Sequence, residues 1–178
     1  MTSARTWFGR MVVTFLVGST MVAQGAFGQM LWNGARYGMT VEELKKSIPG
    51  THTPDSPGKL GTGARELLRV ENVMVVGRKF HAAFYFLSDK LAQVTLELDD
   101  PPNMHGAMLI FDSLADALRS KYGKELSRQD RPGILQTSEA TWSSGRTNIT
   151  LMAFGVEGSP ASLEVMYQVR IAKDADNL

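Results

Sequence analysis

The residues with the most chemical potential gather between His52 and Gly63. Ser56-Pro57-Gly58-Lys59 has the Ser-x-x-Lys spacing of penicillin-binding enzymes, where both side chains leave the first turn of a helix so that the amine reaches the hydroxyl. Proline and glycine between them spoil that helix, and no Lys-Thr-Gly or Ser-Asp-Asn companion occurs in the chain. His52, Asp55 and Ser56 carry the residue types of a triad, but a triad needs rigid elements to hold the imidazole between its partners. Gly58, Gly61 and Gly63 imitate a phosphate-binding loop, yet Lys59 comes before the last glycine instead of after it.

Metal chemistry has equally little local support. None of the three histidines, His52, His81 and His105, belongs to a His-Glu-x-x-His pattern or a similar ligand spacing. Glu97, Asp99 and Asp100 could attract a divalent cation, although Asp-Asp-Pro-Pro reads first as a strand ending in solvent, and oxygen-ligand sites gather more donors. Asn148-Ile149-Thr150 is a glycosylation sequon inside a predicted strand. The spacing therefore predicts no catalytic residue, no cofactor-binding residue, no metal ligand and no cofactor.

The elements that would position any site begin after a distinct leader. Arg5 and Arg10 precede an apolar stretch from Met11 to Ala23, and Ala26 and Gly28 stand at −3 and −1 of a cut before Gln29. The stretch is shorter than the roughly 20 residues that span a bilayer, so residues 1–28 read as a cleaved signal peptide with no stable membrane anchor afterwards. Two of the 19 basic side chains lie in that leader, which leaves 17 against 18 acidic ones in residues 29–178. A near-neutral, interleaved surface lacks the clustered positive charge that phosphate binding requires, so nucleic acid is not an expected partner. The absence of cysteine excludes a disulfide framework, thiolate metal sites and an acylated N-terminus.

The remaining 150 residues suit one domain, and their pattern reads as two repeats, about 38–98 and 107–171. Thr40 with Glu43 forms a capping box before Val41, Leu44 and Ile48, which predicts a helix over Val41–Ser47 ended by Pro49-Gly50. Residues 51–63, rich in Pro, Gly, Ser and Thr, read as a mobile surface loop. Strands follow from Glu66 to Val76, from Phe80 to Leu87 and from Leu91 to Leu98, with turns at Gly77-Arg78 and Ser88-Asp89-Lys90. On the middle strand His81, Ala83, Tyr85 and Leu87 form an unusually apolar second face, to be covered by the second repeat, by the Trp32 segment or by a partner protein. After Asp99-Asp100-Pro101-Pro102, a helix is predicted over Ala107–Tyr122. Strands are then predicted at Leu135–Trp142, Asn148–Phe154 and about Leu163–Ile171, with a second Gly-Arg turn at Gly145-Arg146. The fold class expected is α+β: two tandem helix plus three-strand antiparallel meander units, with the helices packed on one face of the sheet.

Gly38-Met39-Thr40 opening the first helix, Glu43-Leu44 after it and the repeated helix and meander resemble the β-lactamase inhibitor proteins. Each half is also similar to the outer-membrane assembly lipoproteins called BamE or SmpA. The resemblance implies a non-enzymatic, extracytoplasmic protein that binds proteins through a sheet surface.

The function expected is an exported, periplasmic or secreted protein-binding module of inhibitor, immunity or envelope-assembly type, whose partner is another envelope or secreted protein. Trp32, Tyr85, Trp142 and Tyr167 are the predicted binding anchors, because large aromatics dominate interface energetics. The competing reading is a cell-envelope hydrolase or transferase whose site is assembled from residues distant in sequence.

Overall fold

The computed structural model describes residues 28–170. The leader through Phe27, Ile171 and the tail from Lys173 lie outside the described residues. The chain runs β1 (Met30–Trp32), β2 (Ala35–Arg36), α1 (Val41–Ser47), β3 (Arg65–Val75), β4 (Arg78–Leu87), β5 (Lys90–Leu98), α2 (Met104–Tyr122), β6 (Ser127–Arg131), β7 (Leu135–Ser144), β8 (Thr147–Val156) and β9 (Ser162–Val169). The seven strands from β3 onward form one antiparallel sheet in the order β3-β4-β5-β9-β8-β7-β6.

Local chemistry explains most element boundaries. The Thr40 side chain accepts from Glu43 N while Glu43 accepts from the Thr40 amide, so the capping box forms and α1 starts where it is predicted. The β3–β4 and β4–β5 hairpins turn on Val76-Gly77 and Ser88-Asp89, and all four residues have positive φ. Such pairs match the right-handed twist of the flanking strands. At the other end of the chain, Asn103 caps α2 through Gly106 N, and Gly123 at φ 84° ends it.

The architecture is mostly β and is not the α+β arrangement of two helix plus three-strand units that the periodicity predicts. Half of the described residues lie in strands and fewer than a fifth in helices. The halves are also unequal. Helix α1 is seven residues long and buries Leu44, whereas α2 is 19 residues long and buries seven side chains against the sheet. The second half has four strands, because the polar segment Ser127–Arg131 pairs with β7 as an edge strand. That segment has no apolar alternation to reveal it: backbone pairing with β7 places it there, joined by the Ser127–Thr141 hydroxyl bond and the Arg128–Asp112 ion pair.

One face of the sheet carries the core. Leu44 and Ile48 near α1 and Ala107, Ile110, Phe111, Leu114 and Leu118 of α2 pack with Phe80, Phe84, Val94, Leu151 and Val165 in a single cluster. Trp32 packs on this same face, its ring centroid 6.3 Å from that of Phe84. The short β1–β2 ribbon is tied down by the Thr147 hydroxyl donating to Met30 O at 2.6 Å and by reciprocal bonds of Gly38 and Met39 with Leu91. Among the described residues no helix is long and apolar enough to cross a membrane.

The segment 51–64, which its composition predicts to be a mobile surface loop, is tied to the sheet at several points. His52 and Arg69 exchange backbone hydrogen bonds at 2.9 and 2.8 Å, and Glu66 N donates to Gly58 O. Leu60 and Ala64 then pack on Ala83 and Tyr85, so this loop covers the middle of the second face of β4 and leaves Leu87 exposed. Neither the second half of the chain nor the Trp32 segment does so.

Candidate functional site

The helix-free face of the sheet is built of cross-strand rows, because residues paired in register point the same way. One row runs His81, Glu97, Glu164, Met152, Glu139 and Gln129 across β4, β5, β9, β8, β7 and β6. The next runs Ala83, Thr95, Met166, Thr150, Thr141 and Ser127. The loop at 51–64 covers the β3–β4 end; from β5 to β7 the face carries no helix, and its side chains are half-buried by one another except Gln93 and Thr95, which are buried.

Charge accumulates where the two halves of the sheet meet. Glu97 and Glu164 are register partners on β5 and β9, so two carboxylates stand side by side. Burial and then the neighbouring Glu97 hold the Glu164 carboxyl above its ordinary value. Glu97 is relieved on its other side, where a hydrogen bond from His81 draws its carboxyl below the usual range. His81 is correspondingly raised by Glu97 and Asp99. Tyr85 donates to Glu97 at 3.4 Å, and burial pushes its phenol upward.

A second cluster is built around His81, where that row begins on β4. His81 Nδ1 lies 2.8 Å from Asp99 Oδ1, and His81 Nε2 lies 3.5 Å from Glu97 Oε2. Ligand atoms of Glu71, His81 and Asp99 all fall within 4.8 Å of one another. His52 Nε2 is 3.7 Å from the same Glu71 carboxylate. Nearby, Arg69 grips the buried Glu66 through two bonds of 2.7 and 2.9 Å, and Glu66 also accepts from Gly58 N. Residues from the loop, β3, β4 and the end of β5 are thus brought together.

The four predicted anchors are not brought together. Trp142 is 1% exposed and donates its indole N–H to Gly123 O at 3.0 Å. Tyr167, 4% exposed, sits on the core face opposite Val94 and Ile149. Trp32 is half-buried on the same side, against Phe84. Tyr85 alone of the four lies on the helix-free face, and Leu60 and Ala64 cover it. Large aromatics with an apolar body and one polar tip serve cores as well as interfaces, and composition does not separate the two uses.

The serine–lysine and triad spacings are likewise dispersed. Residues 56–59 form no helix, and Lys59 bridges to Arg65. His52 turns to Glu71 instead of toward Asp55 or Ser56. The glycine-rich stretch runs into strand β3 with no helix after it, and Gly58 N is occupied by Glu66. Residues that spacing does not single out, Glu139, Met152, Glu164 and Met166, form the open surface together with Thr150 of the sequon. Their alternation along β7, β8 and β9 marks them as one face, but only strand order makes them neighbours. In comparisons with known proteins, no protein family, curated protein or solved structure matches the chain.

Proposed function

We propose that this chain is an exported, periplasmic or secreted protein-binding module of inhibitor, immunity or envelope-assembly type, and that it holds its partner on the helix-free face of β5, β9, β8 and β7. Export rests on the leader: two arginines, a short apolar stretch and small residues at the cut before Gln29. The carrying observation is the pairing of Glu97 with Glu164, two carboxylates half-sunk in an open sheet face. Among the described residues no cation pairs with Glu164, while Glu139 extends the same acidic row past Met152. A partner that lays a lysine or arginine between these carboxylates relieves their repulsion, and Met152 and Met166 provide adaptable apolar contact around it. The partner is therefore another envelope or secreted protein that presents a basic side chain.

Tagged wild-type chain and its Glu164→Lys variant, each passed over an envelope fraction, test this reading. The expected result is a stoichiometric protein partner that wild type retains and the variant loses, with both chains equally folded by circular dichroism. Absence of a stoichiometric partner, or equal retention by both chains, overturns the proposal. Substrate turnover by the purified chain would favour the hydrolase or transferase reading instead.

A further inference from the structure

We propose that Glu71, His81 and Asp99, joined by His52, bind a divalent transition-metal ion of the zinc class. Three ligand atoms already lie within 4.8 Å of one another. Bonds of about 2.1 Å to a tetrahedral ion place ligand atoms roughly 3.4 Å apart, so modest rotations of the two carboxylates and the imidazole close the set. His52 supplies the fourth donor. Its Nε2 lies 3.7 Å from Glu71 Oε1, and its backbone is held by the reciprocal bonds with Arg69.

The surroundings of His81 point the same way. With Nδ1 beside Asp99 as the ligating nitrogen, Nε2–H is left facing Glu97 Oε2 at 3.5 Å. A carboxylate on the far nitrogen of a ligating histidine fixes its tautomer and ring orientation and raises its basicity. Arg69 approaches Glu71 at 3.8 Å, but its guanidinium is already paired with Glu66. Glu71, Asp99 and Glu97 thus leave an excess of negative charge around two imidazoles. Two nitrogen and two oxygen donors suit zinc and its neighbours, whereas magnesium and calcium take oxygen ligands almost exclusively. The ion would replace the proton that His81 shares with its carboxylates and clasp the start of the 51–64 loop to β3, β4 and the end of β5. This site adjoins the acidic row proposed to meet a protein partner and shares His81 and Glu97 with it, whereas Glu71, Asp99 and His52 lie outside that row.

Titration of the chelator-treated full chain with Zn2+ and Co2+, followed by calorimetry and by the visible bands of Co2+, tests the assignment. The expected result is one saturable site per chain, at least 10-fold preference for Zn2+ over Mg2+ and Ca2+, and a four-coordinate Co2+ spectrum. Glu71→Gln and Asp99→Asn each weaken binding at least 10-fold, Glu97→Gln weakens it by about 10-fold through its effect on His81, and Glu157→Gln leaves it unchanged. Glu71 is 43% exposed, so its variant folds normally and keeps the comparison sound. A wild-type chain that takes up no stoichiometric metal, a preference for Mg2+ or Ca2+, or equal affinity in the Glu71 and Asp99 variants overturns the proposal.

Discussion

Glu97 of β5 and Glu164 of β9 face each other at the seam where the two halves of the sheet meet. Like charges directly opposite on adjacent strands destabilise a sheet by up to about 1 kcal/mol. The raised Glu164 carboxyl means that the folded chain holds a proton the unfolded chain would release, so its contribution to stability is present at acid pH and is lost as pH rises through the folded value. Glu164→Gln is therefore expected to melt higher than wild type at neutral pH, with the gap closing below about pH 4. Thermal melts at both pH values check this, and an equal or lower melting temperature for the variant at neutral pH would refute it.

Trp142 is a core residue with one polar obligation. Its indole N–H donates to Gly123 O at the left-handed end of α2, so it ties strand β7 to the helix terminus. Trp142→Phe is expected to cost about 1–3 kcal/mol through the orphaned carbonyl, and Trp142→Ala about 3–5 kcal/mol through the cavity. Urea denaturation measures both. Unchanged stability in the alanine variant would restore Trp142 as a surface anchor.

Glu66 is 1% exposed; it holds the loop to the sheet by accepting from the Gly58 amide, and Arg69 on the same strand balances its charge. Removing one member of a buried pair leaves the other charge uncompensated, at a cost of up to about 3 kcal/mol here because Arg69 is partly solvated. Glu66→Gln is expected to speed amide exchange at Gly58 and Leu60 and to open residues 51–64 to proteolysis. Exchange confined to its wild-type rate at those amides would show that the loop is held by its apolar contacts instead.

Arg119, in the last turn of α2, donates to both oxygens of Glu125 at 2.7 and 2.8 Å. That bidentate grip lowers the Glu125 carboxyl to about 2. A depressed acid supports the fold above its unfolded value, and this support is lost as pH falls through about 2. Carboxyl-detected NMR titration is expected to place the midpoint there and to move it back toward 4.5 in Arg119→Ala. A midpoint insensitive to the substitution would assign the depression to the backbone.

Much of the local structure is legible from residue order. The α1 boundaries follow from Thr40 and Glu43, and the buried side of β5 follows from Ala92, Val94, Leu96 and Leu98 in strict alternation, although Leu91 and not Ala92 joins the core at its first turn because the register shifts there. Strand β6 was not legible, because an edge strand of Ser, Arg, Gln and Asp has no apolar period. The attachment of the loop is not legible for the same reason: its composition describes a solvent-facing segment, and the bonds that tie it to β3 run through a buried carboxylate and two backbone bridges.

The residue order by itself determined caps, turns and the alternation of faces, since each depends on the conformation of a few neighbouring residues. Tertiary structure alone decided that β5 joins β9, that Glu97 meets Glu164, that Glu71, His81 and Asp99 converge, and that His52 reaches Glu71. Those meetings bring together residues far apart in the chain, across a sheet whose other face is buried as a single core. No periodicity within one segment records which strand will become its neighbour.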